Sequence, residues 1–497
     1  MKPLRPFEIS LSGVNLVEAS AGTGKTYNIT SLYIRALIER DVTVANLLVV
    51  TYTEAATKEL KDRLLNRIRE SIKVLKDGET SDEADQFLKK LIDHVPNPAD
   101  AIGKLEKAVR NFDEAAIYTI HGFCYQSLQE QAFESRAMYD AEMIGDDFEL
   151  VQEAVDDYWR NWTAWVSQNE EKKLLLKLIS SEGYTPEKLA DELSPFIGKP
   201  YLHILPEKTD KEYIEHQLAK LVDSYAKLKE IWFSEMETLF DLLDTGDLSY
   251  YTTNKLNKWF GLMDDFLASD LPELDIFTQF YRFKQHEIDN SLKKKALESN
   301  AQPPQHNFFK LAEDFHQTLE VVQTYIVVFK KELLIYLREE LTHKKEDQQV
   351  LSYDDLLLQL RSALLDENRG KKLAQKIRKK YPIALVDEFQ DTDPNQYEIF
   401  RQIYHGHDQK SALFMIGDPK QSIYSFRGAD IFSYLEARRD VPGANVFSLD
   451  KNFRSSPMLL EGLNTIWANH DNPFILEDIT FNKTAPGQSV DQYDSIT

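Results

Sequence analysis

One cysteine, Cys124, is all that 497 residues contain. An intrachain disulfide is excluded, and nothing in the chain requires an oxidising compartment. Cys124 reads as a small buried apolar residue rather than a nucleophile. Long apolar runs are missing too. None is long enough to cross a bilayer, and the start, Met1-Lys2-Pro3-Leu4-Arg5-Pro6-Phe7, has no apolar core of signal-peptide length. A soluble intracellular protein with no membrane partner is expected. Positive charge is in deficit, with 59 Lys and Arg against 82 Asp and Glu and a net charge of -23. That excludes a uniformly basic, histone-like binder. A narrow basic track on an acidic body stays compatible, because phosphate contacts are local.

What is present is globular: 42% hydrophobic and 28% charged residues, in a chain too long for one core. Asn15 to Ala19 reads as a short buried strand, Thr26 to Glu39 as a helix, Val44 to Thr51 as a second strand, and Glu54 to Lys73 as a second helix. Strand, loop, helix and strand in alternation specify a parallel α/β sheet. From about 135 to 345 long helical patterns take over, at Asp146 to Trp162, Glu212 to Leu242 and Leu311 to Leu341. Strand signals return at Ile383 to Val386 and at Ala412 to Ile416. The expected organisation is an α/β domain in two parts, 1–134 and 346–445, an all-helical insertion at 135–345, and the start of a further unit at 446–497.

Between the first strand and the first helix lies Ala19-Ser20-Ala21-Gly22-Thr23-Gly24-Lys25-Thr26, a P-loop pattern with Ala19 in place of its first glycine. Gly22 and Gly24 let the backbone curl its N–H groups inward onto phosphate oxygens, and the following helix adds its dipole. Lys25 is placed to reach the β- and γ-phosphates of ATP, and Thr26 to give a hydroxyl to Mg2+. A P-loop needs a partner carboxylate, and Leu385-Val386-Asp387-Glu388-Phe389-Gln390-Asp391 provides it. Asp387, at the end of a buried strand, is the expected magnesium ligand, and Glu388 the group that deprotonates the attacking water. The separation of this site from the P-loop far exceeds that of a compact P-loop domain, and the helical insertion accounts for it.

Ile416-Gly417-Asp418-Pro419-Lys420-Gln421-Ser422-Ile423-Tyr424-Ser425-Phe426-Arg427-Gly428-Ala429 resembles motif III of superfamily 1 helicases of the UvrD/Rep type. The resemblance implies that Gln421 senses the γ-phosphate and that Tyr424 and Phe426 stack unpaired bases beside Arg427. Taken alone, the two aromatics read more readily as core. Val50 to Leu60 resembles motif Ia, which puts Tyr52 and Thr53 on single-stranded DNA. Thr119 to Cys124 resembles motif Ib, which adds His121; alone, His121 reads as a structural histidine. Leu449-Asp450-Lys451-Asn452-Phe453-Arg454-Ser455-Ser456 resembles motif IV, with Arg454 as arginine finger and Phe453 stacked on adenine.

Within that superfamily the chain is most similar to the RecB family of helicase–nucleases. Gly13 to Thr26, Tyr118 to Ser135 and Ser352-Tyr353-Asp354-Asp355-Leu356-Leu357 carry the likeness. AddA-type enzymes usually place a glutamine shortly before the P-loop, and none stands between Met1 and Lys25. The resemblance implies a RecA-like motor sheet with a helical insertion and the beginning of a second RecA-like domain. It implies a bacterial cytoplasmic, ATP- and Mg2+-dependent 3′ to 5′ helicase acting on single- and double-stranded DNA in break repair, with RecC-like gamma and RecD-like alpha partners. In that family the rest of the second motor domain and a nuclease domain follow motif IV, and neither is found before Thr497. A piece of a longer protein is therefore expected, with weak ATPase and no unwinding by itself. Lys293 to Lys295, Lys371-Lys372 and Lys379-Lys380 read either as phosphate contacts or as solvated surface. Competing readings are a UvrD- or AddA-like helicase, a nucleotide-binding or partner-docking module, and an ATP-dependent switch without DNA.

Overall fold

In the computed structural model, residues 1–80, 85–131, 141–205, 210–406, 410–423 and 430–487 are described. They fall into two units, Met1–Gly145 with Gln349–Thr497, and Asp146–Gln348.

The first unit carries strands β1 (Lys2–Pro3), β2 (Gly13–Ala19), β3 (Leu47–Thr51), β4 (Ile117–Thr119), β5 (Glu142–Met143), β6 (Val350–Leu351), β7 (Ile383–Val386), β8 (Ala412–Gly417), β9 (Val446–Leu449), β10 (Lys451–Asn452) and β11 (Ala485–Pro486). Seven of them form one parallel sheet in the order β1-β9-β2-β8-β7-β3-β4. Short pairs β5–β6 and β10–β11 stand apart from it.

Continuous apolar runs suit these strands because both sheet faces are covered. Alternate residues of one strand enter opposite cores. Leu48, Val50, Ala384, Val386, Leu413 and Met415 pack with Phe123, Leu360 and Phe400. Their neighbours Leu47, Val49, Ile383, Leu385, Phe414 and Ile416 pack on the other side with Ile29, Tyr33, Leu64 and Ile68. Helix α1 (Lys25–Glu39) starts directly from the glycine loop. Helix α2 (Glu54–Asp77) is capped by Thr53, whose hydroxyl oxygen accepts from the Ala56 N–H at 3.1 Å, and it stops at Gly78 in the left-handed region.

The sheet order gathers three loops at one place. β2, β8 and β7 are neighbours, with Glu18 level with Gly417 and Met415 level with Val386. Because the strands are parallel, the loops after Ala19, Gly417 and Val386 leave from the same edge.

Two expectations need correction. The further unit was expected to begin at 446, but Val446–Leu449 pairs with β2 from Leu16↔Val446 to Ala19↔Leu449. Its β-prone residues cover the side of β2 that would otherwise be an open edge, so β9 is an inner strand of the first sheet. The single helix expected over Leu311 to Leu341 is two, Asn307–Gln323 and Tyr325–Gln348. Thr324 divides them: its hydroxyl donates to the Val321 carbonyl at 2.6 Å, a local bond that competes with the helix ladder.

The second unit is helical. Its longest helix, Lys211–Leu243, has a non-helical residue, Glu235, at φ -129 and ψ 16. An aromatic cluster fills the interior, with the ring of Trp232 at 4.7, 5.9 and 5.3 Å from those of Phe260, Phe283 and Phe308. Trp232 is fully buried and its indole N–H donates to Asp264 at 2.7 Å. Truncating it as Trp232→Ala is expected to cost about 3–5 kcal/mol, seen as a lower urea midpoint by circular dichroism.

Candidate active site

The P-loop is the turn between β2 and α1. Gly22 and Gly24 have φ of 76 and 89, the left-handed region that side chains disfavour. Gly22 is also pressed from outside: a Cβ there would lie 2.6 Å from the Cβ of Arg454. The Thr23 hydroxyl donates to the Ser20 carbonyl at 2.6 Å and closes the turn. Gly24 is the N-cap of α1 and offers no side-chain cap, so the helix presents its first N–H groups to the loop.

Lys25, the first residue of α1, forms an ion pair with Glu388. Glu388 stands after β7 with φ 49 and ψ 43, a left-handed conformation that costs a non-glycine residue about 1–2 kcal/mol. Asp387, just before it, is fixed through the backbone: its N–H donates to the Val50 carbonyl of β3 at 2.9 Å, and its carboxylate accepts from the Glu388 N–H at 2.9 Å. Burial, reinforced by the charge of Glu388, pushes Asp387 up to about 6, while Lys25 opposes the shift. Asp391 is pushed up to about 6 by the same causes in the same order. Thr51, Tyr52, Asp387, Glu388 and Gln396 share the wall of one small hollow.

Within the segment that starts at Ile416, the Asp418 carboxylate binds Lys420 at 2.7 Å and accepts from the Gln421 side-chain amide at 2.7 Å. The structure thus engages Gln421 with Asp418. Tyr424, Phe426 and Arg427 lie outside the described residues.

The motif IV segment is laid directly on the P-loop. The Asn452 amide donates to the Ala21 carbonyl at 2.8 Å, and the Phe453 N–H donates to the Gly22 carbonyl at 2.8 Å. The Asn452 side-chain oxygen accepts from the N–H groups of Arg454 and Ser455, at 2.9 and 2.8 Å. Arg454 is exposed, and the Phe453 ring is half exposed against Gly487. Asn452 and Gln390 are the residues that sequence reasoning passed over. Both stand inside recognisable motifs, but short polar amides carry no charge or ring to draw notice.

Of the remaining candidates, Thr53 spends its hydroxyl on capping α2. Thr26 lies in the first turn of α1 beside Lys25, and Ala19 is fully buried at the end of β2. His121 is in the first turn of the helix Ile120–Glu130, its ring 5.9 Å edge-on from Tyr353, and burial lowers its pKa. Tyr353 is itself about half exposed. Lys380 is paired with Glu130. Among the described residues no helix is long and apolar enough to cross a membrane.

Comparison with known proteins gives a consistent result. The family described as UvrD/REP helicase N-terminal domain matches residues 4–442. The chain is 32% identical over 488 residues to RecBCD enzyme subunit RecB of Escherichia coli (strain K12), covering 96% of this chain and 40% of that protein. It is 33% identical over 518 residues to the Haemophilus influenzae subunit RecB, with 96% and 42% covered. It is 28% identical over 468 residues to that of Chlamydia trachomatis, with 92% and 43% covered. The chain therefore spans about two fifths of the length of the curated relatives it matches.

The raised pKa of Asp387 fixes a sign. Its folded value of about 6 exceeds the ordinary 3.8, so the folded state holds the proton more tightly. Stability then falls as pH rises from about 4 to about 6, and the penalty is fully present above that. Asp387→Asn is expected to stabilise the nucleotide-free protein by roughly 2–3 kcal/mol near pH 8 and by almost nothing near pH 4. Urea midpoints at the two pH values measure it.

Proposed function

The chain belongs to the UvrD/REP helicase family, and from that membership we propose that it is the ATP-hydrolysing motor region of a RecB-type DNA helicase, stimulated by single-stranded DNA. The observation that carries the proposal is the Lys25–Glu388 pair, which brings a P-loop lysine and a strand-end carboxylate together at one edge of a parallel sheet.

The residues present fit a magnesium nucleotide. The uncapped first turn of α1 and the two left-handed glycines make a cradle of N–H groups for phosphate oxygens. A carboxylate raised by burial and by a like charge, as Asp387 is, gains most from a divalent cation. Lys25 and the loop 20–24 would hold the phosphates, and Thr26 and Asp387 the Mg2+. When bound, the nucleotide supplies a γ-phosphoryl group for transfer to water.

The protein's own groups then act in order. Lys25 exchanges Glu388 for phosphate, which frees the Glu388 carboxylate to orient water and take its proton. Asn452 presents the Arg454 segment on the P-loop, so that the guanidinium can neutralise charge in the transition state. Gln421, released from Asp418, senses the γ-phosphate position. Tyr52, Thr53, His121, Tyr424, Phe426 and Arg427 serve as contacts to the DNA strand, which advances 3′ to 5′. For the whole protein we propose a bacterial cytoplasmic helicase–nuclease acting in double-strand-break repair with RecC-like and RecD-like partners.

The test combines variants of this chain. Lys25→Ala is expected to abolish binding of a fluorescent ATP analogue. Glu388→Gln should keep binding and lower hydrolysis by about 100-fold or more. Single-stranded DNA should raise the wild-type ATPase rate, and Phe426→Ala should remove most of that rise. If DNA neither binds nor stimulates, and Phe426→Ala changes nothing, the motor reading gives way to an ATP-dependent switch.

A further inference from the structure

Gln390 is 2% exposed, and both ends of its side-chain amide are engaged. Its nitrogen donates to Oε2 of Glu388 at 2.8 Å and to a carboxylate oxygen of Asp391 at 3.3 Å. Its oxygen accepts from the backbone N–H of Asp418 at 2.9 Å. The approach is close on that side: a Cβ on Gly417 would stand 2.6 Å from this same oxygen. The Gln390 carbonyl also accepts from the Ser422 hydroxyl at 3.2 Å.

An amide that merely satisfied a buried N–H would need only its oxygen. Here the nitrogen end shares one carboxylate oxygen, Oε2 of Glu388, with the Lys25 ammonium. Two donors therefore hold Glu388, one from the P-loop and one from Gln390. Asp418, at the far end of the amide, in turn holds Lys420 and Gln421. Hydrogen bonds join Lys25, Glu388, Gln390 and the backbone N–H of Asp418, and the Asp418 side chain carries the connection on to Gln421.

We propose that Gln390 is a positioning residue that keeps Glu388 aimed when Lys25 leaves it and passes that change to the 418–423 segment. The proposal rests on the reading of Lys25 as a phosphate ligand and Glu388 as the group that activates water. With Lys25 turned away, the amide nitrogen is the remaining donor to Oε2, so the other carboxylate oxygen stays directed outward. The amide is planar and rigid, so a shift of Glu388 moves the acceptor bonded to Asp418 as well. Asp418 opens the segment that leads into residues 424–429, where the aromatic DNA contacts are proposed.

The test uses the 497-residue chain with Mg-ATP. Gln390→Met keeps the volume and removes both hydrogen-bonding ends. Gln390→Glu keeps an oxygen for the Asp418 N–H but sets a carboxylate against Glu388. Both are expected to lower kcat about tenfold or more while KM changes less than about threefold, the mark of lost orientation rather than lost binding. Hydrogen exchange across 412–423, with and without Mg-AMP-PNP, is the second readout. In the wild type, the nucleotide should alter exchange at the Asp418 amide. In Gln390→Met that amide should exchange fast in both states, and in Gln390→Glu it should stay protected and cease to respond. Wild-type kcat and a wild-type exchange response in both variants would overturn the proposal. If Gln390→Met folds poorly, Gln390→Glu decides alone. If the wild type binds no Mg-ATP, the functional reading itself has failed, and this arm separates that outcome from a failure of Gln390.

Discussion

Lys25 and Glu388 are 363 positions apart in the chain, and their ion pair is the contact on which the site depends. Three carboxylates, Asp387, Glu388 and Asp391, leave the end of one buried strand within five residues. Taking such groups out of water is costly, and the upward shifts of Asp387 and Asp391 express that cost. Lys25 is the cation that opposes both. The left-handed backbone at Glu388 adds strain, tolerated because β7 is fully buried and hydrogen-bonded on both sides, to β3 and β8. On the proposed reading, a divalent cation entering with the phosphates would relieve this charge imbalance.

The glycines of the P-loop meet a second constraint beyond conformation. The outer surface of the turn is the ledge on which Asn452 to Arg454 rests, through two hydrogen bonds to P-loop carbonyls and the close approach at Gly22. Any side chain at Gly22 would lift that segment as well as distort the loop. Asn452 uses both ends of its amide, one on the P-loop and one on the turn that carries Arg454. The backbone of Arg454 is thereby held by the Asn452 side chain beside Gly22, and the residue is exposed.

Much of this was legible in the sequence, for a physical reason. Strands buried on both faces must be continuously apolar, so Ile383–Val386 and Ala412–Gly417 could be located, and the glycine loop is bound to the strand and helix that flank it. The boundary at 446 was missed because β9 has only four residues; pairing with β2, which local pattern does not encode, decides its place. The break at Thr324 was missed because apolar spacing runs on through it, and it is marked by local bonds, from the Thr324 hydroxyl and N–H to the Val321 carbonyl, that apolar spacing does not show. In the site, Lys25, Asp387 and Glu388, which the structure brings together, stand out in the sequence because their charge is conspicuous. Gln390 and Asn452 do not stand out, since an amide acquires its meaning from the two partners it joins, and one partner of each, Asp418 and Ala21, is distant in sequence.

On the proposed reading, the amides let one network have two states. Glu388 Oε2 accepts from Lys25 and Gln390 together, and Asp418 accepts from Gln421 while bound to Lys420. Each acceptor therefore has a donor to lose and a donor to keep. If Lys25 turns to phosphate, Gln390 retains Glu388; if Gln421 turns to phosphate, Lys420 retains Asp418. A hydrogen bond to a charged group contributes about 1.5–3 kcal/mol net, so either exchange is tolerable only against a comparable new bond. On the proposed reading of the site, a phosphate at the P-loop would offer such a bond to Lys25 and to Gln421. Each of the four acidic and basic groups therefore has a partner of opposite charge, Lys25 with Glu388 and Lys420 with Asp418.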